Sequence, residues 1–426
     1  MQKNHLIKKF ISSSFIKFIS TFGLIMFNVI LINFSGKDTL GIITSAISLI
    51  VFLSIFTKFG LNHASLRLAS IFFEKKDINK INQLILQSII ISGLISVLIS
   101  FFLITFSKEI AFEIYEKEKI NGVLKIFAIA LPFFTLLQLQ KSLLKSFRRP
   151  ELSVLSDMGS ILFLVSIMIV FFKIIQIDLT IYRISIFFLF SCLIIFSILN
   201  FVLFYMVLKN SDIFKKYKFT PLNNSLLKTL PDYFSIDLVN FFSVWGPIFL
   251  CSFFFDFSKV GSFSSVYWFS FCLKFFPLIL NSIYVPDYAI NMNKKNLVDQ
   301  KKLFNHNRNI SIIITLPILI ILFIFSKSCL RLILDIDTNE YDIIFKILLI
   351  SSFLRVIFGP QSLFLNMTDN QKQLKFILII CALLQILLII LSLIYLDLIY
   401  LSISILFSNF IKHMWLRNFL QKKFSL

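Results

Sequence analysis

ISIFFLFSCLIIFSILNFVLFYMVL, residues 184–208, runs into KNSDIFKKYKFTPLNNSLLKTLPD, residues 209–232, and then into a second apolar run, YFSIDLVNFFSVWGPIFLCSFFF, residues 233–255. The first run holds 25 residues without a charge. As a helix it is long enough to cross the hydrocarbon of a bilayer, which takes about 20 apolar residues. Such a run must be helical throughout, because no water is present to satisfy an open backbone. The middle stretch is the longest polar interruption in the chain, and it falls almost at the midpoint of the 426 residues.

Outward from this junction, apolar runs of similar length recur at 11–34, 39–57, 82–106, 122–140 and 152–172 before it, making six with 184–208. After 233–255 come 260–284, 310–325, 343–365, 374–396 and 398–411, making six more. With 58% of all residues hydrophobic, the chain carries more apolar surface than a water-soluble core can hide. The expectation is an all-α polytopic membrane protein of about twelve spans. Its N-terminal lobe is 1–208, its cytoplasmic linker 209–232 and its C-terminal lobe 233–426.

Orientation follows from the Lys and Arg residues, which are retained on the cytoplasmic side. The termini and the loops that share their side hold 28 of them, and the opposite loops hold 9. Both termini are therefore expected in the cytoplasm, and the net charge of +20 reflects this asymmetry. No loop is long enough to form a basic nucleic-acid-binding face. The five cysteines have no CxxC spacing and the four histidines form no HxxxH or HExxH pattern. A Walker A loop and a GxSxG elbow are missing as well, so neither a metal centre nor a catalytic centre is indicated.

The two halves resemble each other. FSGKDTLGIITSA, from Phe34 to Ala46, aligns with FDFSKVGSFSSV, from Phe255 to Val266, pairing Gly41 with Gly261 at an offset of 220. Six spans per repeat gives both repeats the same orientation, as in transporters whose repeats are related by an axis along the membrane normal.

Ionisable side chains inside spans are costly and mark cavities or partners. Five of the 42 basic residues fall there: Lys17, Lys125, Lys274, Lys346 and Arg355. Lys125 and Lys346 sit near helix ends, where a long side chain reaches the interface. Lys17 shares a helical face with Ser13, Thr21 and Asn28, and Lys274 shares one with Tyr267, Ser270 and Asn281. Asp237, Asn240 and Ser243 form a comparable row, and Arg355 stands mid-span. These residues either line a cavity or pair helix to helix. The central excess is cationic, which suits an anionic substrate, a diphosphate above all.

GKDTLG at 36–41, KFGLNHASLRLAS at 58–70, KSFRRPE at 145–151, FSKVGSF at 257–263, VPDYA at 285–289 and FGPQSLFLNMTDNQK at 358–372 occur in an order that resembles the multidrug/oligosaccharidyl-lipid/polysaccharide exporter superfamily. Within it the likeness is to the Wzx-like polysaccharide flippases. The resemblance implies two six-helix lobes forming a V around a central cavity in the bacterial cytoplasmic membrane. It also implies alternating access, with no cofactor but a proton or sodium gradient to drive it. The implied substrate is a polyprenyl-diphosphate-linked oligosaccharide held in membrane lipid, and the implied protein partners are a polysaccharide polymerase and a chain-length regulator. Cationic positions of the family's first, second and eighth helices match Lys17, Lys58 and Lys274 here. The expected substrate-binding set is thus Lys17, Lys58, Asp237, Asn240, Ser270, Lys274, Asn281 and Arg355. The alternatives are an ion-coupled multidrug exporter of the same superfamily and, with less support from the short external loops, a polysaccharide polymerase or ligase.

Overall fold

The computed structural model describes residues 2–75, 77–147, 149–208, 229–293, 297–368, 370–395 and 397–424. Most of the expected linker, 209–228, and the side chain of Lys17 lie outside the described residues. Everything described is helix, turn or short connection, in keeping with an all-α membrane protein.

The first half begins with α1 (Gln2–Lys58), α2 (Leu61–Glu74) and α3 (Ile78–Thr105), followed by α4 (Asn121–Ser146), α5 (Met158–Ile174) and α6 (Ile181–Leu208). The second half comprises α7 (Leu230–Val244), α8 (Gly246–Phe254), α9 (Phe257–Ser270), α10 (Cys272–Asn293), α11 (Leu297–Ile324) and α12 (Ser326–Leu334). It ends with α13 (Asn339–Phe358), α14 (Gln361–Met367), α15 (Gln371–Ile394) and α16 (Leu398–Phe424).

Seven helices are long and apolar enough to cross a membrane alone, and three further passes are bent pairs. The bends are 60° between 150–156 and α5, 64° between α7 and α8, and 41° between α9 and α10. Pro247 stands in the first turn of α8, where a proline ring is compatible with a helix start but not with an unbroken helix. The apolar part of α1 covers 41 residues, 18–58. That is about 60 Å of helix, roughly twice the hydrocarbon thickness. Gly36, with φ 84° and ψ 171°, breaks it into two passes. The 20-residue α13 is long enough to cross, although Glu340, Asp342, Lys346 and Arg355 dilute its apolar character. Together these make the twelve passes expected from the sequence.

Two spans are longer than their apolar runs. The ninth pass is α11, which starts at Leu297 rather than 310, and the twelfth is α16, which continues to Phe424 rather than stopping at 411. In both, the helix carries on through Lys, Arg, Asn and Gln. These straight-chain and amide residues end an apolar run without ending a helix. Outside the membrane, Asp77 caps α3 by accepting from the Lys80 backbone N–H at 3.2 Å. Hydrogen bonds from the Lys80 side chain and backbone hold its carboxyl below the usual range.

The chain forms two compact units, 1–35 with 42–241, and 36–41 with 242–426. In the first, α4 is the central helix. It packs on α2, α3 and α6, and Phe127 stacks on Phe188 at 4.7 Å. α3 turns Leu94, Leu98, Phe101 and Phe102 outward, an apolar face suited to lipid.

In the second unit the hexapeptide 36–41 crosses α9 with no space between backbones. A Cβ added at Gly41 would stand 1.8 Å from the Phe257 carbonyl oxygen, and one added at Gly261 would stand 2.0 Å from that of Lys37. Lys37 and Phe257 are themselves 220 apart, so the residues aligned by the repeat meet reciprocally, as a local two-fold requires. Elsewhere in this unit Tyr288, Phe304, Phe364, Leu365, Leu374 and Leu420 close a core between α10, α11, α14, α15 and α16.

Candidate functional site

The second unit brings Lys274 and Arg355 together and adds Lys412. Lys274 is on α10, Arg355 on α13 and Lys412 on α16. Lys274 feels the charges of Arg355 and Lys412, and Lys412 feels that of Arg355. None of the three forms an ion pair among the described residues. The Lys274 ammonium lies 3.6 Å from the centroid of the Phe271 ring, whose face attracts a cation. The Lys412 ammonium donates to Asn409 Oδ1 at 2.6 Å, and Asn409 Nδ2 donates to Ser351 Oγ at 3.0 Å, a chain that fixes the ammonium's position.

The direction these cations face follows from the helices that carry them. On α13 the exposed Ile343, Ile350 and Ile357 recur every seven residues and mark the lipid side. Arg355 is also exposed, but it stands more than about 100° around the helix from each of them. On α16 the exposed Tyr400, Ile403, Phe407 and Phe410 mark the lipid side in the same way. The half-buried Lys412 lies roughly opposite that stripe. An exposed charge facing away from lipid needs water or an anion beside it.

His413 follows Lys412 and is buried. Its Nδ1 lies 3.0 Å from Gln361 Oε1, while Gln361 Nε2 donates to the His413 carbonyl at 3.1 Å. Because the amide oxygen only accepts, Nδ1 carries the proton and the ring is locked in one tautomer. Ser270, buried on α9, donates to the Tyr267 carbonyl at 2.7 Å and lies 3.5 Å from Ser352. Asn281 accepts from Asn307 Nδ2 at 2.9 Å, joining α10 to α11. Lys346 is held by Asp342 at 2.8 Å, which leaves it unavailable as a free cation.

Two of the expected residues meet elsewhere, in the first unit. Asp237, on α7, takes His63 Nε2 at 2.9 Å on one carboxylate oxygen and Asn62 Nδ2 at 3.1 Å on the other. Lys58, buried at the end of α1, interacts electrostatically with Asp237 and with Lys141. Asn240 is exposed on the same helix as Asp237.

Sequence reasoning missed Lys412 because the apolar run ends at Ile411, which placed the lysine in a cytoplasmic tail. A signal was present: His413, Leu416, Leu420 and Phe424 are spaced by three or four residues and are all buried, the mark of a continuing helix.

The fold is that of known membrane transporters. An inward-facing multidrug-resistance MATE-family transporter of the MOP superfamily aligns with 12% identity and a TM-score of 0.72, over 95% of this chain and 94% of its own. The lipid II flippase MurJ, in an inward closed conformation, aligns with 17% identity and a TM-score of 0.74, over 96% of this chain and 87% of its own. A MOP superfamily transporter from Pyrococcus furiosus, described as having a binding pocket of reverse polarity that suggests a different function, aligns with 13% identity and a TM-score of 0.62, over 98% and 96%. No protein-family model and no curated protein sequence matches the chain. At these identities the likeness establishes the twelve-helix fold and a multi-pass membrane protein, and the structural neighbours named are transporters.

Proposed function

We propose that this protein moves a polyprenyl-diphosphate-linked oligosaccharide across the bacterial cytoplasmic membrane by alternating access, for surface polysaccharide assembly, with both termini in the cytoplasm. The observation that carries the reading is the group of Lys274, Arg355 and Lys412: three cations from three helices of one unit, with no acidic partner among the described residues. Like charges gathered in a low-dielectric setting repel, and the arrangement gains most when a multiply charged anion enters. A diphosphate supplies that charge and accepts charge-assisted hydrogen bonds from guanidinium and ammonium alike. A neutral glycan needs only hydroxyl and amide partners, such as Asn409, which accepts from Lys412, and Ser351, to which Asn409 donates.

The transporter fold is equally compatible with drug export, as the MATE neighbour illustrates. The cationic group weighs against it for cationic drugs, which the three charges would repel. Deletion of the gene separates the two readings. The flippase reading expects complete lipid-linked repeat units to accumulate on the inner leaflet. Unchanged intermediates together with increased drug sensitivity would overturn it in favour of export.

A further inference from the structure

Ammonium and guanidinium groups only donate, so Lys274, Arg355 and Lys412 hold anionic oxygens and have no lone pair to offer a hydroxyl. A side chain of the opposite kind stands beside them. His413 is 8% exposed, and its ring feels the charges of Lys412, Arg355 and Lys274. Three contacts fix the ring. Phe358, from α13, stacks on it at 5.6 Å with the planes 8° apart. Gln361, from α14, accepts from Nδ1 at 3.0 Å and donates its own Nε2–H to the His413 carbonyl at 3.1 Å. The bond to the carbonyl decides which end of the amide faces the ring, and thereby which ring nitrogen carries the proton.

With the proton on Nδ1, the neutral ring presents Nε2 as an acceptor. A second proton would place a fourth positive charge beside the other three. Among the described residues Nε2 has no hydrogen-bond partner, although the rest of the side chain is tied down at every point. An acceptor on a side chain this buried costs free energy until a donor reaches it.

We propose that His413 Nε2 accepts a hydrogen bond from a hydroxyl of the sugar joined to the diphosphate, so that the site recognises the first sugar as well as the charge. This rests on the flippase reading of the same three cations. A phosphate oxygen would set lone pair against lone pair at Nε2, whereas an O–H completes it. A sugar phosphate presents anionic oxygens and hydroxyl groups side by side, which matches three donors and one acceptor held close together. The polyprenyl chain has no donor, so the contact selects for the glycan end of the substrate. A head group without a hydroxyl leaves the acceptor unpaired, the arrangement by which a site rejects an analogue. The other source of an O–H beside anionic oxygens is the acid proton of an uncapped phosphate.

Native mass spectrometry of the full-length protein with two synthetic lipids of equal charge reads the contact. One is polyprenyl diphosphate capped with glucose, the other the same diphosphate capped with methyl. Wild-type protein should retain the glucosyl lipid at least about threefold better than the methyl lipid. His413→Asn keeps an N–H for Gln361 and puts nothing at the Nε2 position, so it should hold the methyl lipid as the wild type does and lose the preference. His413→Gln, whose longer amide brings an acceptor to the Nε2 position, should keep part of it. Uncapped polyprenyl diphosphate tests the acid proton, near pH 5 and near pH 8, either side of the second phosphate ionisation at about 6. Its retention should not differ between wild type and His413→Asn at either pH.

A wild type with no preference for the glucosyl lipid would overturn the proposal, as would a preference that survives in His413→Asn. So would a difference between the two proteins seen only with the uncapped lipid near pH 5. Loss of the methyl lipid in both His413→Asn and His413→Gln would mark the ring as a clamp between α14 and α16 and overturn it as well. Retention of the methyl lipid depends on the three cations, so failure of the flippase reading shows in that lipid and failure of this proposal in the ratio of the two.

Discussion

Replacing Arg355 by alanine is expected to weaken binding of a lipid diphosphate by about tenfold to a hundredfold, since a hydrogen bond to a charged group contributes about 1.5–3 kcal/mol and 1.4 kcal/mol is a factor of ten. Surface polysaccharide should fall while protein abundance in the membrane stays normal. Lys274→Ala and Lys412→Ala should act in the same direction, and Lys412→Arg, which keeps the charge, should be tolerated better than Lys412→Ala.

The same substitutions should have the opposite effect on the ligand-free protein. Lys274, Arg355 and Lys412 repel one another with no acid among the described residues to offset them, so removing one relieves repulsion and should raise the melting temperature. Higher stability together with lost function marks a binding site kept at a cost to the fold. A purely structural role for these cations predicts the reverse, with lower stability preceding any loss of polysaccharide. Membrane abundance, melting temperature and polysaccharide measured on the same strains separate the two.

The second large effect is expected at Gly261. A methyl group there would overlap the Lys37 carbonyl oxygen at 2.0 Å, and the obstacle is backbone that no rotamer change can move aside. Overpacking a side-chain core commonly costs about 1–3 kcal/mol, and a clash with backbone at a helix crossing should reach or exceed the top of that range. Gly261→Val is therefore expected to leave little folded protein in the membrane, and Gly41→Val should match it because the contact is reciprocal. Gly93 provides the control. It lies within α3 with nothing within 4 Å of an added Cβ. Gly93→Ala should be neutral, or should stabilise by about 0.5–1 kcal/mol through helix propensity. Detergent melting curves of the three variants check the contrast, and equal behaviour at Gly93 and Gly261 would remove the argument from the crossing.

The helices were legible because a bilayer demands a run of fixed length with few charges, and 184–208 or 374–396 can hardly be read otherwise. Helix ends were not legible where polar residues continue a helix past the hydrocarbon, as at Leu297 and beyond Ile411. Lys274 and Arg355 stood out as charges in apolar runs. That they share a site with Lys412 depends on how α10, α13 and α16 pack, which no local pattern encodes. Asp237 was visible as a polar residue, but its partner His63 lies 174 positions away in sequence. An alignment of the two halves paired Gly41 with Gly261, yet that the two backbones touch is a property of the folded unit alone.

The central claim, that the three cations hold a diphosphate head group, is tested most directly by lipid binding to the purified full-length protein, followed by native mass spectrometry. Wild-type protein should retain polyprenyl diphosphate in preference to the uncharged polyprenol, and inorganic pyrophosphate should displace it. The triple variant Lys274→Met, Arg355→Met and Lys412→Met should lose that preference while remaining folded. Equal retention of the two lipids by the wild type, or an undiminished preference in the triple variant, would contradict the claim.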